Sequence, residues 1–144
     1  MSDILEHYKK RDPRERTVAR ALCIHEGKVL VVKRFKYGDS YYVLPGGGID
    51  PGETPEVAAA REVYEETSVK VVPGDIVLNL PGTEKHSEQF IVKCTYIEGV
   101  PHLPDESEEA QRTDEGQNTY EPMWLTVSEA KTVLIPEVIR EYIN

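Results

Sequence analysis

A run of glycines placed directly before a helix-forming segment constrains this chain more than any other stretch. Residues 44–71 read LPGGGIDPGETPEVAAAREVYEETSVKV, with glycine at positions 46, 47 and 48. Thr54 followed by Pro55 is typical of a helix start, because threonine caps free amides and proline suits the first helical position. The segment predicts a deformable glycine loop followed by a helix from about Pro55 to Thr67.

The predicted helix has an apolar side and an acidic side. Apolar or small residues recur three or four positions apart at Val57, Ala60, Tyr64 and Thr67, widened by Ala59 and Val63. We expect this side to face the core. Glu62, Glu65 and Glu66 stand at i, i+3 and i+4, so their carboxylates share another side. Because close like charges repel, a bound cation would stabilise them better than Arg61 and Lys70 can.

The ligand type indicates which cation is expected. Carboxylate oxygens suit Mg²⁺, with Mn²⁺ as the alternative, and do not suit zinc. Magnesium in proteins is commonly shared between a few carboxylates and substrate phosphates. Glycines 46–48 lack side chains, so their backbone can approach a metal or an anion. The stretch therefore predicts a metal site for a phosphorylated substrate.

The rest of the chain is mostly β-forming. Strands are predicted near 17–25, 28–36, 40–44, 69–80, 89–99 and 119–127, with further helices near 128–133 and from 136. Glu26-Gly27 separates the first two strands and predicts a hairpin. This order predicts an α/β fold with helices flanking a mixed sheet, as one domain over residues 1–144.

Composition excludes several classes of function. The 144 residues carry a formal net charge of -9, whereas proteins that bind nucleic-acid polymers need a basic surface. The first residues lack an apolar targeting segment, and no apolar run is long enough to cross a bilayer. We therefore expect a cytoplasmic protein that binds neither nucleic-acid polymer nor membrane. Cys23 and Cys94 lie in apolar stretches and are expected to be buried thiols.

The spacing within residues 47–69 resembles the Nudix box, the signature of the Nudix hydrolases. The matching residues are Gly47, Glu53, Arg61, Glu62, Val63, Glu65, Glu66 and Val69, which satisfy eight of the nine defining positions. The departure is Ser68, where the family usually has glycine. A helix C-terminus at that point often needs a positive φ, so Ser68 puts the local backbone geometry in question.

The resemblance implies an α/β/α sandwich with a mixed central sheet that uses Mg²⁺ or Mn²⁺. It implies hydrolysis of a diphosphate bond in a nucleoside di- or triphosphate or another nucleotide derivative. Carried over by position, the metal ligands would be Glu62, Glu65, Glu66 and the Gly46 carbonyl. In some members the residue at the position of Glu62 is instead discussed as the general base. Glu53 and Arg61 would complete the catalytic set by bracing the loop against the helix, and Gly47 would contact substrate.

Further candidates lie outside the box. Family members often add a distal acid, and the acids available are Glu106, Glu108, Glu109, Asp114, Glu115 and Glu121. We favour Glu115, because it stands beside Gly116 shortly before the last strand. Arg34 is a candidate phosphate contact. Tyr42 is a candidate for stacking on a base, with packing in the sheet as the alternative.

Two other functions share the same fold. A catalytically silent Nudix domain would bind a nucleotide as a sensor, although such domains usually lose glutamates that this chain retains. A Nudix-like isomerase, as in isopentenyl diphosphate isomerase, would need a reactive cysteine near the metal. In each case the expected partner is a small phosphorylated, nucleotide-like molecule. The sequence leaves the oligomeric state open, with a homodimer as one alternative.

Overall fold

Seven strands, two α-helices and a short 3₁₀ helix make up the part of the chain that the structure describes. A computed structural model describes residues 17–84, 86–104 and 118–144. The strands are β1 (Val18–His25), β2 (Lys28–Lys36), β3 (Asp39–Val43), β4 (Gly46–Gly48), β5 (Lys70–Leu80), β6 (Gln89–Glu98) and β7 (Asn118–Thr126). The helices are α1 (Pro55–Thr67), α2 (Val127–Val133) and the 3₁₀ helix Glu137–Tyr142.

Strand β1 is the central element of a mixed sheet. It pairs in parallel with β6 on one edge and antiparallel with β4 and then β2 on the other. The strands follow the order β3-β2-β1-β6-β5, and β7 adds to β2. The predicted hairpin between β1 and β2 is confirmed: Glu26 and Gly27 both have positive φ, which suits the twist of the two strands. The predicted α/β class with a mixed sheet is also confirmed.

Apolar clusters lie on both sides of the sheet. On the α1 side, Ala19, Ala21 and Cys23 of β1 are packed with the buried residues of the helix. Leu22 has the opposite orientation and belongs to a cluster that includes residues of α2 and the 3₁₀ helix. This alternation along β1 is the period-two pattern of a strand covered on both faces. Among the described residues, no helix is long and apolar enough to cross a membrane.

The two cysteines are buried free thiols, as the sequence predicts. Cys23 and Cys94 stand opposite each other on β1 and β6. Burial raises the pKa of Cys23 to about 11 and that of Cys94 to about 12. Both thiols therefore stay protonated near neutral pH. Neither provides the reactive cysteine that an isomerase would need.

Helix α1 begins and ends where the sequence predicts, and its buried side was predicted correctly in part. Ala59, Val63 and Thr67 are buried as predicted, whereas Val57 and Tyr64 are exposed by 53% and 52%. The buried residues of α1 are Ala58, Ala59, Val63, Glu66 and Thr67. The physical reason is the rotation of the helix about its axis: Ala58 and Ala59 pack in the core cluster with β1, which leaves Val57 and Tyr64 on the solvent side.

Candidate active site

The glycine segment is a strand, which corrects the prediction of a loop. Gly46–Gly48 forms β4 and pairs antiparallel with the start of β1, with Ala19 opposite Gly47. A Cβ added at Gly46 would overlap the Ala19 carbonyl oxygen and lie 2.6 Å from the Arg20 Cα. No other residue allows this close an approach of two backbones. The short strand therefore exists because its residues lack side chains.

The pairing of β4 directs the Gly46 backbone toward α1. Gly46 stands opposite Arg20, while the adjacent Ala21 amide donates to the Pro45 carbonyl at 2.9 Å. Gly46 is therefore at a non-hydrogen-bonded position of the ladder, where amide and carbonyl point away from the partner strand. Its amide lies 3.4 Å from Glu66 Oε2 and donates to it. The Gly46 carbonyl is thus directed to the same edge as the acidic side of α1.

Gly47 makes room for the Glu62 carboxylate. A Cβ added at Gly47 would lie 2.6 Å from both Cδ and Oε2 of Glu62. The Glu62 side chain is mostly buried and Glu66 is buried, whereas Glu65 is about half exposed. The three glutamates thus line one cleft but differ in their access to solvent.

Arg61 and Glu53 brace the start of α1. Arg61 Nε donates to Glu53 Oε2 at 2.7 Å, and Nη2 donates to Glu53 Oε1 at 2.9 Å. Arg61 Nη2 also donates to the Gly48 carbonyl at 3.1 Å, which ties β4 to the helix. The hydrogen bonds from Arg61 hold the pKa of the Glu53 carboxyl below its usual value, and they raise the pKa of Arg61. The pair is a bidentate arginine–carboxylate contact, which has a fixed geometry.

The remaining edge of the Arg61 guanidinium contacts two of the predicted metal ligands. Nη1 donates to Glu62 Oε1 and to Glu65 Oε2, each at 3.1 Å. Arg61 therefore neutralises the acidic side of α1 more fully than the sequence suggested.

Within the described residues, no three His, Cys, Asp or Glu side chains are already arranged as a metal-binding group.

A cationic and aromatic wall faces the glutamates. The cleft has a volume of about 550 Å³, and this wall is formed by Arg20, Arg34, Tyr41 and Tyr120. Arg34 Nη2 donates to Asn118 Oδ1 at 2.6 Å, and its guanidinium carbon lies 3.7 Å from the centre of the Tyr120 ring. These contacts hold the predicted phosphate-binding side chain at the cleft.

The other candidates fall in different places. Tyr42 packs with the apolar cluster that includes α2, and its neighbour Tyr41 lines the cleft instead. Glu121 is exposed on β7 opposite Lys33 and is not among the residues that line the cleft. The favoured distal acid, Glu115, and the other acids from 106 to 114 lie outside the described residues.

Five residues of the cleft were missed from the sequence: Arg20, Tyr41, Val43, Asp50 and Tyr120. Arg20 had a usable signal, because it is a charged residue between Ala19 and Ala21 in an otherwise apolar strand. Tyr41 had one too, since it alternates with Tyr42 along β3 and so faces the other side.

Ser68 adopts the backbone conformation that the missing glycine would allow. Its φ is 67° and its ψ is 8°, and its amide donates to the Tyr64 carbonyl to close the helix. Its hydroxyl donates to the His102 carbonyl at 3.0 Å. The substitution therefore leaves the end of α1 in the usual left-handed geometry.

Comparison with known proteins agrees with this fold. The sequence profile of the NUDIX domain matches residues 13–143. The chain belongs to the NUDIX family.

Among its relatives is a rat protein, diphosphoinositol polyphosphate phosphohydrolase 2, which is 35% identical over 96 residues. The match covers 65% of this chain and 49% of the rat protein. RNA pyrophosphohydrolase from Aeromonas hydrophila is 46% identical over 57 residues, covering 40% of this chain and 30% of that protein. The matches thus span half or less of the length of these relatives.

Solved structures show the same fold. A NUDIX hydrolase from Nitrosomonas europaea superposes with a TM-score of 0.66 at 19% identity, covering 91% of this chain and 69% of the other. The MutT protein from Methanosarcina mazei Go1 superposes with a TM-score of 0.63 at 22% identity, covering 93% and 94%. At these identities the likeness is one of fold.

Proposed function

We propose that the protein is a Mg²⁺-dependent hydrolase that cleaves a diphosphate bond in a nucleoside di- or triphosphate or a nucleotide derivative. The observation that carries this proposal is a cleft with glutamates on one wall and two arginines on the other. The names of the rat and Aeromonas relatives describe phosphohydrolase and pyrophosphohydrolase activity, which supports the same class of reaction.

The residues of the cleft fit a hard divalent cation. The donors are carboxylate oxygens of Glu62, Glu65 and Glu66, together with the Gly46 carbonyl that faces the same edge. The space beside Gly47 accommodates the Glu62 carboxylate and would be lost with any larger residue. Oxygen donors of this kind suit Mg²⁺ or Mn²⁺. We propose these four residues as the ligands.

The chain's own residues then divide the work of the reaction. Arg34 binds phosphate oxygens from the wall opposite the glutamates, and its contacts with Asn118 and Tyr120 fix its direction. Glu62 accepts the proton of the attacking water on a carboxylate that lies against Gly47 in the cleft. Glu53 and Arg61 hold β4 against α1, which keeps the glutamates in register with the backbone. Bound divalent metal would neutralise phosphate charge and lower the pKa of water.

A substrate panel tests the proposed reaction. Purified protein is incubated with Mg²⁺ and with nucleoside triphosphates, dinucleoside polyphosphates, nucleotide sugars, a 5′-triphosphorylated RNA oligonucleotide and a diphosphoinositol polyphosphate. We expect release of phosphate, pyrophosphate or a nucleoside monophosphate from at least one nucleotide substrate. Tight binding of a nucleotide without turnover would instead support a sensor, and the hydrolase proposal would be dropped.

Glu62→Gln tests the assigned base. The substitution keeps the size of the side chain but removes its charge, so the rate should fall by about a hundredfold or more. Glu56→Gln is the matched control, since Glu56 lies in the first turn of the same helix and does not line the cleft. Unchanged activity of Glu62→Gln, with a normal unfolding transition, would contradict the role assigned to Glu62.

A further inference from the structure

A second cavity adjoins the active cleft. It has a volume of about 440 Å³, a size within the range of small-molecule sites. Its apolar wall consists of Leu80, Pro81, Ile135 and Pro136, and its polar groups include His86 and Gln89. Arg20 and Val43 line this cavity and the active cleft alike. The two cavities therefore meet at Arg20.

Arg20 is fixed at this junction by neutral oxygens. Its Nε donates to Gln89 Oε1 at 2.7 Å, and its Nη1 donates to the Leu44 carbonyl at 2.9 Å. The side chain also lies against β4, since a Cβ added at Gly46 would come within 2.8 Å of Arg20 Cγ. Two hydrogen bonds and a strand thus set the direction of the guanidinium.

The guanidinium of Arg20 keeps its positive charge, because arginine stays protonated in proteins. Its hydrogen bonds to Gln89 and Leu44 are to uncharged oxygens, and the residue is only half-buried. Phosphate is the matching ligand, since its oxygens form strong charge-assisted hydrogen bonds with guanidinium.

We propose that Arg20 selects the substrate by binding a phosphate at the junction of the two cavities, so that a weakly polar organic group of nucleoside size enters the second cavity. This inference rests on the proposed hydrolysis of a nucleotide-type diphosphate and names which part of the substrate lies where. Arg20 acts as a binding residue, and the glutamates across the cleft carry out the chemistry.

The lining of the second cavity favours a weakly polar group over a phosphate-rich one. Among the described residues that line it, Arg20 is the only arginine or lysine. A ring with many phosphates would need several cations, because buried charges must be paired. A flat organic group can contact the apolar wall and use His86 or Gln89 for hydrogen bonds.

Calorimetric titration of nucleoside 5′-monophosphates tests this inference without turnover, because these molecules have no diphosphate bond. Four common nucleoside monophosphates, inorganic phosphate and inositol hexakisphosphate are titrated into the whole chain with Mg²⁺ present. We expect at least one nucleoside monophosphate to bind more tightly than inorganic phosphate and inositol hexakisphosphate. The inference is overturned if inositol hexakisphosphate binds most tightly or if no nucleoside monophosphate binds.

Substitutions on the two sides of the junction distinguish a loss of ligand binding from a loss of folding. Arg20→Gln should weaken nucleoside monophosphate binding by about tenfold to a hundredfold, the range for a lost hydrogen bond to a charged group. Arg20→Lys keeps the charge if the glutamine variant is unstable, and it should retain part of the affinity. Ile135→Trp should fill the second cavity from a partly exposed position and also weaken binding by at least tenfold.

Lys131→Gln is the charge-matched control, because Lys131 is exposed on α2 and lines neither cavity. Its affinity should equal that of the parent. Parental affinity in a folded Arg20→Gln protein would overturn the inference, even if the protein hydrolyses a nucleotide; if Arg20→Gln does not fold, parental affinity in both Arg20→Lys and Ile135→Trp would overturn it. Selective loss of binding without any hydrolase activity would instead support the role of Arg20 and refute the proposed function.

Discussion

Helices α1 and α2 both begin at a threonine cap but differ in what a glutamate near that cap contacts. Thr54 and Thr126 each cap a helix, accepting hydrogen bonds from the amides of Val57 and Glu129. In α2 the Glu129 carboxylate accepts two hydrogen bonds from Thr126, one from its amide at 3.0 Å and one from its hydroxyl at 2.8 Å. That contact is a capping box, and it serves the helix alone.

In α1 the position that corresponds to Glu129 is Val57, and the carboxylate at issue belongs to Glu53, which lies before the cap and contacts the body of the helix. Glu53 accepts the Asp50 amide at 2.9 Å and both edges of the Arg61 fork. Arg61 in turn reaches β4 through the Gly48 carbonyl. One carboxylate therefore links a loop, a helix and a strand. The comparison teaches that a helix start becomes part of a site when its carboxylate pairs with a side chain that also contacts other elements.

Arg61→Met should show most clearly how the contacts at the start of α1 differ from those at the start of α2. It leaves Glu53, Glu62 and Glu65 without their shared partner, so we expect a loss of about 2 to 3 kcal/mol in unfolding free energy. Because the glutamates and β4 lose their relative position, kcat/KM should also fall by about a hundredfold. Denaturant unfolding and steady-state kinetics measure both quantities.

Glu129→Gln is the matched change in α2. It should leave kcat/KM unchanged, because the contacts of Glu129 stay within its own capping box. The distinction between the helices would be lost if Arg61→Met kept parental kcat/KM, or if Glu129→Gln reduced it to a similar extent.

Gly47→Ala should damage the site with a smaller effect on the fold. The new Cβ would lie 2.6 Å from the Glu62 carboxylate, which must move away from β4. We expect kcat/KM to fall by at least about tenfold, and the unfolding free energy to fall by about 1 kcal/mol. Gly74→Ala on β5 is the control. Its Cβ would lie 2.9 Å from the Lys93 carbonyl oxygen, and neither residue lines the cleft. A similar loss of activity in both variants would contradict a specific role for Gly47.

Local signals predicted much of this architecture. Thr54-Pro55 gave the start of α1, and Glu26-Gly27 gave the first hairpin, because each signal acts over a few residues. The Nudix-like spacing predicted which glutamates share a cleft, since helical periodicity alone places them together. These features depend on neighbours in the sequence and not on the rest of the fold.

Long-range packing decided the features that were missed. The exposure of Val57 and Tyr64 follows from how α1 is rotated about its axis against the sheet, which helical periodicity alone does not determine. The glycine strand forms only because β1 lies beside it. Arg20 joins the cleft from a strand far from the Nudix box, and no spacing rule connects the two. Such contacts depend on tertiary structure.

The acid dependence of stability provides a smaller test of the two carboxylates. In the folded protein the pKa of Glu53 is lowered by Arg61, and that of Glu129 is lowered by the Thr126 backbone and hydroxyl. A lowered folded pKa stabilises the protein above the unfolded pKa, and this stability is lost as pH falls through the folded pKa. Glu53→Gln should therefore cost about 1 to 2 kcal/mol at pH 7 and progressively less toward pH 3.

Glu129→Gln should show the same trend with a smaller amplitude, because Glu129 is exposed and its contacts are screened by solvent. Unfolding free energies measured from pH 7 to pH 3 give both curves. Equal amplitudes for the two variants would mean that the Arg61 contact adds nothing beyond an ordinary cap.

The C-terminal ends of the helices give the smallest expected effect. The C-cap residue of α2, Leu134, has an extended conformation, whereas the C-cap residue of α1, Ser68, has a φ of 67°. Ser68→Gly should relieve about 1 kcal/mol of left-handed strain and lose the exposed hydrogen bond to the His102 carbonyl, for a net gain of about 0.5 kcal/mol in unfolding free energy. Ser68→Ala keeps the strain and loses the same bond, so it should be less stable than the parent.

If Ser68→Gly is also less stable, the hydroxyl contact with His102 outweighs the strain, and serine is the better residue for this end of α1. In either case kcat/KM should stay within about twofold of the parent, because the glutamates lie on the helix before this cap.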